Sequence, residues 1–111
     1  GEQLRDFIYV EDVAKVCFWL MENPIASGLY NLGTGKARSF NDLITAIFNT
    51  LNIPADIEYT DTPEDIRDKY QYFTEADMNK LIAAGYPGTF FSVEEGVADF
   101  VKKFLVTKRY F

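Results

Sequence analysis

At 111 residues the chain has room for one small domain, and 48% apolar with 16% aromatic residues is enough to build a core. A formal net charge of −6, from 11 basic and 17 acidic residues with no basic run, argues against a reader of phosphate backbones. No apolar stretch reaches the roughly 20 residues of a membrane span. The lack of histidine removes imidazole chemistry and the usual zinc sites, and the single cysteine cannot form an internal disulfide. These readings predict a protein of the reducing cytoplasm, with no metal, nucleic-acid or membrane partner.

Gly1-Glu2-Gln3-Leu4 runs straight into an extended stretch without an initiator methionine, so a piece of a longer protein is expected. Residues 7–10, β-branched and aromatic, are predicted to form a strand. Glu11 or Asp12 should then cap a helix in which Val13, Val16, Cys17 and Leu20 recur at helical spacing, with Cys17 a buried, inert thiol. Asn23-Pro24 ends that helix, because the residue before proline is driven out of the α region. Residues 29–32 read as a second short strand entered through Gly28.

Gly33-Thr34-Gly35-Lys36 invites comparison with a phosphate loop and fails it. A Walker loop needs four residues between its first glycine and Gly-Lys-Ser/Thr, and a dinucleotide fingerprint needs a glycine where Arg38 stands. A turn requiring positive φ is the expected structure. Ser39 is a good N-cap for the next helix, where Phe40, Leu43, Ile44, Ile47 and Leu51 form the clearest amphipathic stripe in the chain. Asn52 and Pro54 close it, and residues 56–60 alternate as a strand with one wet face should.

Residues 61–73 have no clean period and are both acidic and aromatic, which in a compact domain suggests a binding loop. Thr74-Glu75-Ala76-Asp77 resembles a capping box and predicts a helix that stops at Gly85, while Ser92-Val93-Glu94-Glu95 is a full capping box. The helix after it should carry Val93, Val97, Phe100 and Phe104 on one face. Four helices and three short strands result, with a mixed α/β fold class.

The stretch Arg5-Asp6-Phe7-Ile8-Tyr9-Val10-Glu11-Asp12-Val13 resembles the signature of extended short-chain dehydrogenase/reductases acting on nucleotide sugars. Leu29-Tyr30-Asn31-Leu32-Gly33-Thr34-Gly35 follows at similar spacing, and Glu94-Glu95-Gly96-Val97 adds to the likeness. Lys69-Tyr70-Gln71-Tyr72-Phe73-Thr74-Glu75-Ala76-Asp77-Met78, followed by Ala83-Ala84-Gly85-Tyr86, is similar to the branch of epimerases that works on ADP-heptose.

This resemblance covers essentially the whole chain and about the last third of the family's. It implies that residues 1–111 are a C-terminal substrate-binding segment, a small mixed subdomain packing on a Rossmann domain outside this stretch. In the full protein it implies a homo-oligomer, with NADP bound by that Rossmann domain. There a sugar carbon is oxidised and the hydride is returned to its other face, while a tyrosine–lysine pair moves the proton. No catalytic, cofactor-binding or metal residue is expected in this segment. Arg5 is implied to bind the sugar diphosphate, which suits a guanidinium's rigid fork of donors. Tyr70 is implied to contact the substrate; Arg67 and Lys69 read as solvated surface. Two alternatives stay open: another nucleotide-sugar epimerase or dehydratase, and a non-catalytic binding or oligomerisation module.

Overall fold

Two serine caps set the helical framework. In a computed structural model that describes residues 1–25, 27–61, 63–67 and 72–106, helix α2 (Phe40–Leu51) starts at Ser39 with a reciprocal pair of bonds. The Ser39 hydroxyl accepts the Asp42 N–H at 3.0 Å, and the Asp42 carboxylate accepts the Ser39 N–H at 3.2 Å. Helix α5 (Val93–Phe100) repeats the device with Ser92 and Glu95, each bond at 3.1 Å. Two otherwise orphaned N–H donors are thereby satisfied at each start. α2 ends at Asn52, whose φ of 60° is the left-handed conformation asparagine tolerates.

α5 passes directly into a π-helical turn, Val101–Leu105, and packs its apolar face on α2. Helix α1 (Val10–Glu22) packs on a second core in which Val16, Met78 and Leu81 are buried and Trp19, Leu20, Tyr86 and Phe90 pack around them. Short helices α3 (Glu64–Arg67) and α4 (Asn79–Ala83) complete the set, with Gly85 at φ +104° ending the latter. The only named strands among the described residues are β1 (Leu4–Arg5) and β2 (Arg38–Ser39), paired antiparallel as Leu4↔Ser39 and Arg5↔Arg38. A parallel bridge from Leu4 to Phe73 places residues 72–74 on the other side of β1. The mixed α/β class holds, with less strand than the sequence suggests.

Several expectations are corrected. Residues 7–10, 29–32 and 56–60 form no strand: residue 10 opens α1, and no described backbone ladders with the rest. β-propensity reports how a side chain suits a pleated surface, and without a neighbouring strand it fixes nothing. Neither Glu11 nor Asp12 caps α1. Tyr9 is the N-cap, its carbonyl accepting from Asp12 and Val13, while both acids sit in the first turn where the helix dipole favours them. Residues 74–77 form no capping box either. Glu75 accepts the Ala37 N–H at 2.8 Å and Asp77 the Asn79 N–H at 3.0 Å, so the side chains are spent elsewhere and α4 starts only at Asn79. Cys17 is exposed, because Val13, Val16 and Leu20 take the inward face of α1.

Candidate functional site

β1 is where the site begins, because three stretches of chain meet there. β2 pairs along one side. On the other, the Leu4 N–H donates to the Tyr72 carbonyl at 2.7 Å and the Thr74 N–H donates to the Leu4 carbonyl at 3.0 Å. Arg5 therefore lies between the turn leading into α2 and the segment that follows Tyr70 in sequence. Its side chain is half-buried, with Nη1 donating to the Leu4 carbonyl at 2.8 Å and the guanidinium carbon 5.8 Å from the centre of the Phe40 ring. Stacking on an aromatic face limits the rotamers of a long cation.

The register sets Arg5 opposite Arg38, a pairing of like charges that costs stability unless one is neutralised. Arg38 is. Its guanidinium forks onto Glu94 from two nitrogens and bonds Asp42 at 3.2 Å. The Glu94 bonds, outweighing burial, push the Arg38 pKa up, and the Arg38 bond holds the Glu94 carboxyl below its ordinary range. Arg38 thus staples β2 to α2 and α5.

Asp6, next to Arg5, is the anchor that sequence reasoning overlooked. Its Oδ1 accepts the Thr34 N–H at 2.8 Å and the Thr34 hydroxyl at 2.6 Å; its Oδ2 accepts the Gly35 N–H at 2.8 Å and the Ala76 N–H at 3.2 Å. Burial opposes its ionisation, but the bonds from Thr34, Gly35 and Ala76 together prevail and lower its pKa. The carboxylate sits so close to the backbone that a Cβ on Gly33 would stand 2.5 Å from Oδ2, which is why position 33 is glycine. Gly35, at φ +78°, supplies the positive φ expected of this turn. A turn rich in N–H donors needs an acceptor, and that requirement was the available signal.

The same contacts bear on the cofactor. The Thr34 and Gly35 N–H groups are taken by Asp6, and that of Gly33 faces the Met78 sulfur at 3.3 Å. A pyrophosphate approaching the turn would meet a carboxylate in its place, so residues 33–36 do not fit a dinucleotide. Among the described residues, no group of three or more acidic or cysteine side chains could hold a metal ion, and no helix is long and apolar enough to cross a membrane.

A concavity of about 510 Å³ opens beside β1, lined by Gly1, Glu2, Gln3, Asn41, Tyr59 and Tyr72. Its walls are the residues just ahead of Arg5, the start of α2, and the stretch after Tyr70; the Tyr59 hydroxyl donates to Asn41 Oδ1 at 2.8 Å across it. Tyr70 itself, and Lys69, lie outside the described residues, while Arg67 is the last residue of α3. A separate groove of about 290 Å³, between α2, α5 and residues 7–9, is lined by groups such as Phe7, Ile47, Phe91 and Phe100. It offers no charge and suits packing rather than a diphosphate.

Comparison with known proteins gives consistent matches. Residues 1–33 match the NAD dependent epimerase/dehydratase family. ADP-L-glycero-D-manno-heptose-6-epimerase of Nitratidesulfovibrio vulgaris is 51% identical over 105 residues, covering 95% of this chain and 32% of that protein. The enzyme of the same name from Fusobacterium nucleatum is 46% identical over 111 residues, covering 95% and 33%. The chain thus spans about a third of the length of these relatives. Among solved structures, UDP-N-acetylglucosamine 4-epimerase from Methanobrevibacter ruminantium in complex with UDP-N-acetylmuramic acid superposes at a TM-score of 0.79, with 29% identity, over 96% of this chain and 33% of that one. An NAD dependent NDP-hexosamine 5,6-dehydratase of tunicamycin biosynthesis shares the fold at a TM-score of 0.67, with 24% identity, over 99% and 34%.

Proposed function

We infer, from this chain's belonging to the NAD-dependent epimerase/dehydratase family as its C-terminal part, that it forms the substrate-gripping portion of an epimerase interconverting ADP-D-glycero- and ADP-L-glycero-D-manno-heptose. Arg5 binds the sugar diphosphate and Tyr70 contacts the substrate. The observation that supports this reading is the three-way junction at β1, which brings the Arg5 backbone alongside residues 72–74, of which Tyr72 lines a polar concavity with Gly1, Glu2 and Gln3. The Leu4 carbonyl and the Phe40 ring steady the half-buried guanidinium, which limits the rotamers it can adopt.

NADP, the tyrosine–lysine pair and the redox step belong to a Rossmann domain encoded elsewhere in the protein, and this chain alone turns nothing over. Its task is to orient the heptose and exclude water from the closed cleft, in a homo-oligomeric cytoplasmic enzyme supplying a lipopolysaccharide precursor. The likeness to a UDP-sugar epimerase supports a second reading, in which the same grip serves another nucleotide sugar.

In the full-length protein, Arg5→Ala is expected to raise the KM for ADP-heptose about 10- to 100-fold, the cost of a lost charge-assisted bond. Arg5→Lys should recover part of it, since a point charge cannot fork. An Arg5→Ala protein that keeps its KM would overturn the assignment. Faster turnover of a UDP- or GDP-sugar than of ADP-heptose would move the protein to the second reading.

A further inference from the structure

We propose that Asp6 is the positioning residue of this grip: one carboxylate fixes the turn at residues 33–35 and the segment at residues 74–76 to the backbone that carries Arg5. The inference rests on the Proposed function for what is gripped, but its geometry stands apart. Asp6 accepts from Thr34, Gly35 and Ala76, donors on two segments remote from it and from each other in sequence.

Ala76 closes the stretch that begins with the Tyr72–Leu4 bond, so residues 72–76 are held at one end to β1 and at the other to Asp6 just beyond it. Between those ends Tyr72 and Phe73 are 54% and 58% exposed, Tyr72 lining the concavity beside β1 and Phe73 a separate hollow by the glycine turn. Besides the Asp6 bonds, the Glu75–Ala37 bond ties residues 74–76 to the end of the glycine turn at their outer edge. The carboxylate is also irreplaceable in kind. All four hydrogen bonds reach it from donors, so an amide at this position would turn its own NH2 toward N–H groups.

Asp6 touches no substrate in this scheme; it acts by keeping Arg5 and the aromatic segment in register. Displacing a binding group by about an ångström costs on the order of 100-fold in a positioned reaction.

The test compares Asp6→Asn, Arg5→Ala and the double variant in the full-length protein, with ADP-heptose as the varied substrate. Asp6→Asn is expected to raise KM on the order of 10- to 100-fold while kcat changes little, and the double variant should be no worse than Arg5→Ala alone. Amide exchange at Thr34, Gly35 and Ala76 should accelerate in Asp6→Asn. An unchanged KM with faster exchange would overturn the inference, leaving Asp6 a fold anchor only. If Arg5→Ala also leaves KM unchanged, the grip itself is misassigned, which is a separate failure. Should Asp6→Asn not fold, Asp6→Ala is measured with and without formate at constant ionic strength. Recovery of KM with the added carboxylate is expected; a folded, formate-insensitive protein of normal KM would overturn the proposal.

Discussion

Three aspartates separate what a residue type suggests from what its surroundings make of it. Asp12 is 1% exposed and accepts the Phe91 N–H at 2.9 Å, joining α1 to the start of the α5 region. Asp12→Ala is expected to destabilise the fold by about 1.5–3 kcal/mol, since a buried donor loses a charged partner. Thermal melts should show a fall of about 4–8 °C per kcal/mol in a domain of this size. Asp6 has a pH signature. Its pKa lies below the ordinary 3.8, so its contribution is complete above that value and is lost as pH falls through the lower folded value. Unfolding followed across the acid range should therefore show a limb that Asp6→Asn flattens; an identical acid limb in the variant would contradict the assignment. Tyr9 donates to Asp99 at 2.6 Å, and burial together with that bond pushes its phenol well above the ordinary value. None of these contacts was legible in the sequence, because each links positions 28 or more residues apart.

Elements were legible where their signals are local. Ser39 and Ser92 cap as read, and α2 shows the stripe from Phe40 to Leu51, because a cap or a 3.6-residue period involves only neighbours. Ser39→Ala and Ser92→Ala are each expected to cost about 1 kcal/mol in denaturant unfolding. Both exceed the effect expected of Thr45→Ala on the exposed face of α2. The three predicted strands failed because pairing depends on what lies beside them. The helix expected from Thr74 forms only from Asn79, because Glu75 and Asp77, able to cap, found other partners. For the candidate site, Arg5 is proposed from its motif, whereas the bond network that seats it beside residues 72–74 carries no local signature.

At the scale of the whole molecule the chain is loosely filled. Its accessible surface is 8166 Å², against about 6,200 Å² expected for a compact protein of its mass. Its radius of gyration is 16.5 Å, against about 13 Å for its length. Fully buried apolar side chains among the described residues are few, while Phe18 is 64%, Met21 80% and Leu29 91% exposed. Val10, Ala14, Cys17, Phe18 and Met21 follow one another down the outer side of α1 at helical spacing, all exposed. An apolar stripe of that kind favours burial against another surface. Alone in solution the chain is expected to self-associate with rising concentration in sedimentation experiments, and Met21→Lys should reduce that association. A monomer at all concentrations for the unaltered chain would contradict it.

Cys17 sits in the middle of that stripe, and it is the one thiol in the sequence. The protein thus carries a built-in footprinting probe. A maleimide should label the solitary chain rapidly, and labelling should slow once the stripe is covered. The alkylation half-time then measures occupancy of the α1 face without any engineered tag.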